Sequence, residues 1–175
     1  MNPRFCAFLS GALMAGLAVS CAQKSSSDVA LKTYALDSLD GVIRASGVEI
    51  DRTVKKEGAA SLKITVTEPS VIPLFETGDI DVENAALVYQ AKVRTEDAQG
   101  DVYLEMWCHF EGKGEFFSRG LQSPIKGTMG WTSQETPFFL KAGENPDNVK
   151  LNIVSEGTGA IWVDDIRLMK RKTGE

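Results

Sequence analysis

The chain reads as an all-β protein, a two-sheet antiparallel β-sandwich in a single domain. Three observations predict this. Apolar and polar side chains alternate with period two along most of the chain, no convincing 3.6-residue apolar stripe competes with that alternation, and glycine, proline, asparagine and aspartate separate the alternating runs. Eight or so short strands in a chain of this length need two facing layers to bury their apolar sides.

The elements follow in chain order. In Ser61–Thr67, Leu62, Ile64 and Val66 share one face while Ser61, Lys63 and Thr65 take the other. A strand is expected at Val71–Phe75. Leu87, Tyr89, Ala91 and Val93 then oppose Val88, Gln90, Lys92 and Arg94. The next run, Val102–Phe110, places Val102, Leu104, Met106, Cys108 and Phe110 together, opposite Tyr103, Glu105, Trp107 and His109. Further strands are predicted at Glu115–Leu121, Thr132–Leu140, Val149–Ser155 and Gly159–Leu168. Turns are expected at Glu111-Gly112-Lys113-Gly114 and at Gly143-Glu144-Asn145-Pro146-Asp147-Asn148.

Before these strands lies a different kind of segment. Arg4 precedes an apolar run from Phe5 to Val19 that is short for a bilayer span and rich in small residues near its end, the pattern of an export signal. Leu17-Ala18-Val19-Ser20-Cys21 resembles the lipobox of bacterial lipoproteins. That resemblance implies cleavage after residue 20, a lipidated Cys21 and, with Ala22 rather than aspartate following, an outer-membrane destination in a Gram-negative cell. Ala18 and Ser20 also fit a small-x-small signal peptidase site, which leaves simple secretion as the alternative. The expected organisation is therefore a leader over 1–20, a lipidated cysteine with a polar tether over 21–32, the sandwich over 33–169 and a polar tail over 170–175.

Charge and cysteine content narrow the function. Lys and Arg number 19 against 24 Asp and Glu, for a net charge of −5, and loss of Arg4 with the leader makes the balance more acidic. With no basic cluster interleaved with aromatics, nucleic acid is not an expected partner, and the membrane is expected to be met through the lipid alone. Cys6 goes with the leader and Cys21 is the lipid site, so Cys108 stands alone and cannot form an internal disulfide. A single histidine excludes multi-histidine zinc sites and, with no GxSxG motif, leaves no serine triad. Adjacent strand residues face opposite ways, so Cys108 and His109 are not expected to form a catalytic dyad.

A family resemblance emerges from the end of the chain. Gly157-Thr158-Gly159-Ala160-Ile161-Trp162-Val163-Asp164-Asp165-Ile166-Arg167-Leu168 resembles the last strand of galactose-binding-like jelly rolls, which include carbohydrate-binding modules. Lys56-Glu57-Gly58-Ala59-Ala60-Ser61-Leu62-Lys63-Ile64, the central Ala91-Lys92-Val93-Arg94, and Gly130-Trp131 before Thr136-Pro137-Phe138 fit the same order. The resemblance spans about residues 34 to 169 and implies a jelly roll, with Trp131 and Trp162 in the core or at its edge. It also implies a structural calcium held by Asp37, the Lys56–Gly58 loop with Glu57, and Asp165. The alternative is that Asp164 and Asp165 end a strand and cap backbone groups.

The candidate binding residues share one strand face. A sugar presents apolar C–H faces ringed by hydroxyls, so its sites combine a flat aromatic with hydrogen-bonding side chains. Trp107 is the candidate platform, assisted by Tyr103, with Glu105, His109 and Arg119 as hydroxyl partners and Gln90, Lys92, Arg94 and Asn152 expected on the same face. The same side chains can instead simply cover an exposed sheet. The function expected is thus a non-catalytic glycan-binding domain at the cell envelope. An adaptor domain holding another envelope protein is the alternative, and a polysaccharide lyase is a third class.

Overall fold

The computed structural model describes residues 28–43, 47–78 and 80–173. The predicted leader and Cys21 lie outside these residues. The described strands are β1 (Val29–Tyr34), β2 (Val48–Asp51), β3 (Ser61–Val66), β4 (Ser70–Gly78), β5 (Ala85–Phe110), β6 (Gly114–Arg119), β7 (Ile125–Leu140), β8 (Asn148–Ser155) and β9 (Gly159–Arg171), and every ladder is antiparallel. The all-β sandwich expected from the alternation is what forms.

Two layers share one long strand. The first half of β5 pairs with β9 on one edge and β7 on the other, and β9 pairs on its far edge with β3 and β1. The second half of β5 pairs with β8 and β6, with β4 outside β8. Leu62, Leu87, Tyr89 and Val163 from the first layer and Leu74, Leu104, Met106 and Leu151 from the second join a single buried cluster between the layers. That burial of aliphatic surface is the main stabilising term of a domain without internal disulfides.

The sequence suggested two strands, 87–94 and 102–110, where the structure has one of 26 residues. The polar stretch Glu96-Asp97-Ala98-Gln99-Gly100-Asp101 looks like a turn, yet it carries the ladder around the edge of the sandwich. Its pairing with β7 shifts register three times, between Val93 and Val102, and Asp97 adopts a left-handed φ of 53°. Before this corner the odd-numbered residues Leu87, Tyr89, Ala91 and Val93 face the core; after it the even-numbered Val102, Leu104, Met106, Cys108 and Phe110 do. The β8–β9 turn lies directly against the corner, where Gln99 N donates to Thr158 O (2.8 Å) and Glu156 N to Asp101 O (2.9 Å). The approach demands glycine. A Cβ on Gly100 would sit 2.5 Å from the Glu156 carbonyl carbon, and one on Gly157 2.7 Å from Gly100 N.

Strands extend beyond both ends of the 33–169 segment. Val29–Tyr34, part of which was read as tether, forms β1 and pairs with the end of β9. At the other end, Arg171 belongs to β9 and its guanidinium bonds Asp28 (2.8 Å) and Glu135 (2.9 Å). A strand whose burial does not follow clean alternation, as in β1, gives little sequence signal.

Candidate functional site

The outer face of the second layer is built by β6, the second half of β5, β8 and β4. The tight Glu111–Lys113 turn sets the β5–β6 register so that Glu105 lies opposite Arg119, Trp107 opposite Phe117, and His109 opposite Glu115. On the other edge of β5, Glu105 faces Asn152 and Trp107 faces Lys150.

Glu105 is the centre of this face. It is 1% exposed, and its Oε1 accepts from Trp107 Nε1 (2.8 Å) and Asn152 Nδ2 (2.9 Å) while Oε2 accepts from Arg119 Nε (2.6 Å). Burial pushes the carboxyl pKa up, but the bonds from Asn152, Trp107 and Arg119, with the charge of Arg119, more than offset this and hold it below the usual carboxylate range. Reciprocally, the bond to Glu105 raises the Arg119 pKa. The Arg119 guanidinium lies 4.6 Å from the Phe117 ring centre, and the Phe117 and Trp107 rings are tilted with centroids 5.0 Å apart.

Around this centre the face is mixed in charge. His109 Nδ1 lies 2.5 Å from Asp147 Oδ1, and Lys150 Nζ bonds Glu115 Oε1 at 2.6 Å. Trp107 is half-buried, and Phe117 is 52% exposed, so the aromatic pair presents ring surface to solvent. Tyr103 shares the face but is buried, its hydroxyl 3.3 Å from Glu156 Oε1. The expected grouping of Tyr103, Glu105, Trp107, His109 and Arg119 thus forms, joined by Asn152. Of these, Tyr103 and Glu105 are too enclosed to offer much to a ligand.

Gln90 is not part of this face. It lies on the outer side of the first layer with Lys92 and Arg94, donating to Glu135 Oε2 (2.9 Å), because alternation identifies outward residues without telling which layer carries them. Phe117 is not among the expected site residues, although register counted back through the 111–114 turn places it beside Trp107. Cys108 is buried and burial pushes its thiol up to about 12, whereas His109 points outward, so the two do not meet.

Neither of the two other tryptophans joins the buried cluster between the layers. Trp131 is half-exposed on β7. Trp162 is 5% exposed but on the outer side of the first layer, roofed by Arg94 and Lys63 at 5.4 and 5.8 Å.

The acidic residues expected to hold calcium are otherwise engaged. Asp164 Oδ2 accepts from the backbone of Lys56 (2.6 Å) and Glu57 (2.9 Å), and its Oδ1 from Asp165 N (2.7 Å). Asp165 and Glu57 both face Arg167, at 2.6 and 3.6 Å. Asp37 makes no hydrogen bond to these groups among the described residues, its backbone carbonyl accepting from Arg52. Among the described residues no three acidic, histidine or cysteine side chains converge. A guanidinium already supplies the positive charge between Asp165 and Glu57, and Asp164 caps the loop. This arrangement does not fit the six to eight oxygen ligands of calcium.

No protein-family sequence model and no curated protein sequence matches the chain. Solved structures do. The xylan-binding CBM22-1 domain of Paenibacillus barcinonensis Xyn10C superposes with a TM-score of 0.59 at 14% identity, over 83% of this chain and 96% of that one. The CBM22-1–GH10 modules of Clostridium thermocellum endo-1,4-β-D-xylanase 10B, complexed with xylohexaose, give 0.61 at 13% identity over 85% of this chain and 30% of that one. The C-terminal family 22 module of Clostridium thermocellum Xyn10B gives 0.58 at 8% identity over 83% and 97%. The chain therefore has the β-sandwich fold of carbohydrate-binding modules.

Proposed function

We propose that this chain is an exported, lipid-anchored, non-catalytic glycan-binding domain of the cell envelope, using the outer face of the second layer. The observation that carries the reading is the exposed Trp107–Phe117 aromatic pair flanked by Arg119 and His109, the combination of flat apolar surface and hydrogen-bonding groups that sugar rings require. The xylan-binding and xylohexaose-bound modules of the same fold support it, and make β-1,4-xylan fragments the first probes.

A glycan array with the soluble chain beginning after Cys21 tests the binding. Retention of at least one glycan, lost in Trp107→Ala, is expected; binding to none rejects the reading. The anchor rests on the run ending at Cys21, and radiolabelled fatty acid should enter the wild-type protein but not Cys21→Ala. A second reading, an adaptor for another envelope protein, is favoured by the exposed Phe116, Leu121 and Phe139 on and beside β6 and β7. An envelope protein that co-purifies with the chain and is lost in Phe139→Ser supports that alternative.

A further inference from the structure

Glu105 lies within the proposed glycan face yet is closed to a ligand. Its three donors come from β5, β6 and β8, and they occupy both carboxylate oxygens of a residue that is 1% exposed. An ionised group buried this deeply is tolerated only with its partners in place. Both Trp107 and Arg119 depend on it for orientation.

The contacts close on themselves. From Glu105 a hydrogen bond leads to the Trp107 indole, whose ring meets Phe117; Phe117 lies under the Arg119 guanidinium, and Arg119 Nε returns to Glu105. Arg119 uses Nε alone in this circuit. Its terminal nitrogens have no protein partner among the described residues, and the side chain borders a hollow of about 440 Å3 shared with Gln122, Ser123 and Phe139.

We infer that Glu105 is a positioning residue of the glycan face: it fixes the Trp107 ring and the Arg119 guanidinium so that the ring surface and the two terminal nitrogens meet the sugar. The ligand side of this inference rests on the function proposed above. Preorganisation of this kind raises affinity by removing the cost of ordering two long side chains on binding. A role confined to the β5–β6 register would leave the indole environment and its coupling to affinity untouched.

The test is a double-mutant cycle on the full-length chain in detergent, with xylohexaose as probe and the tightest array hit in its place if xylohexaose does not bind. Glu105→Gln keeps the shape but turns an amide nitrogen towards at least one of the three donors. It should lower affinity by about tenfold, the usual worth of a hydrogen bond to a charged group. In a Trp107→Ala background the same change should cost clearly less than in the wild type, since only Arg119 is left for Glu105 to hold, and with Arg119→Ala added it should cost less than about twofold, within the additivity limit of independent sites. Without ligand, the Trp107 indole N–H resonance should move in Glu105→Gln while those of Trp131 and Trp162 stay.

A full loss that persists with both Trp107 and Arg119 replaced by alanine would mean that Glu105 acts on the ligand by itself, and an unmoved indole signal would mean that it does not hold Trp107; either overturns the inference. If the wild-type chain binds no glycan, the proposed function falls, and the indole resonance still decides the positioning claim. Should Glu105→Gln fail to fold, Trp107→Phe removes the same hydrogen bond from a half-buried position, and unchanged affinity there overturns the inference equally.

Discussion

Trp162 Nε1 donates to Asp51 Oδ2 at 2.9 Å, joining the last strand to the edge strand β2 across the width of β3. The same carboxylate accepts from the backbone of Thr53 and Val54 through Oδ1, so one indole, one acidic side chain and the chain leaving β2 form a single fastening. Trp162→Ala should therefore destabilise the domain by about 3–5 kcal/mol, as losses of buried aromatics do. Glycan affinity in the folded fraction should be unchanged, which denaturant titration and calorimetry together would establish.

Trp107→Ala should behave in the opposite way. The residue is half-buried on the proposed binding face, so its loss should weaken glycan binding by about 1–3 kcal/mol with a small change in melting temperature. Unfolding as severe as that of Trp162→Ala would make the face structural.

Asp164 and Asp165 are adjacent but unequal. Asp164 is buried and holds two amides of the 56–57 loop, so Asp164→Ala should cost about 1–3 kcal/mol, the penalty for leaving buried donors without a partner. Asp165→Ala removes an ion pair to Arg167 and also places alanine at a left-handed φ of 48°, so it should cost about 1–2 kcal/mol. If hydrogen bonds rather than calcium hold this corner, the melting curve should be the same in chelator and in millimolar calcium. A calcium-dependent rise that Asp165→Ala abolishes would show an ion at this corner.

Acid should loosen the binding face. The folded-state pKa of Glu105 lies below its ordinary value, so its contribution is present above the unfolded carboxyl value of about 4.3 and is lost as pH falls through the folded value. Unfolding free energy measured by denaturant from pH 6 to pH 3 should fall in the wild type, and less steeply in Glu105→Gln.

Cys108 should be inert. With the thiol buried and its pKa pushed up to about 12, a thiol reagent at neutral pH should label it only on unfolding, so labelling kinetics should follow global opening.

Much of the second layer was legible because its alternation is strong. Val102 to Phe110 gave the inward and outward sets of β5 directly, and the structure keeps both. What sequence could not supply was the third dimension. Gln90 is outward, as expected, but on the other layer, since period two carries no information about which sheet a strand joins. The corner at 97–101 was hidden by its turn-like composition, and β1 by its weak alternation. Glu105 was expected to meet a ligand because polar outward residues usually meet solvent. Its burial arises from Asn152 and Arg119 on neighbouring strands, contacts that only the sheet order creates.

The corner of β5 also sets the phase of the binding face. Core-facing residues are odd before it and even after it, so the irregular stretch from Thr95 to Asp101 is what makes Trp107 an outward residue at all. Shortening that stretch by one residue would invert everything downstream, sending Met106 and Cys108 to the surface and Trp107 and Glu105 into the core. The glycines packed at this corner therefore act on the site from a distance, as the indexing point from which the whole face is counted.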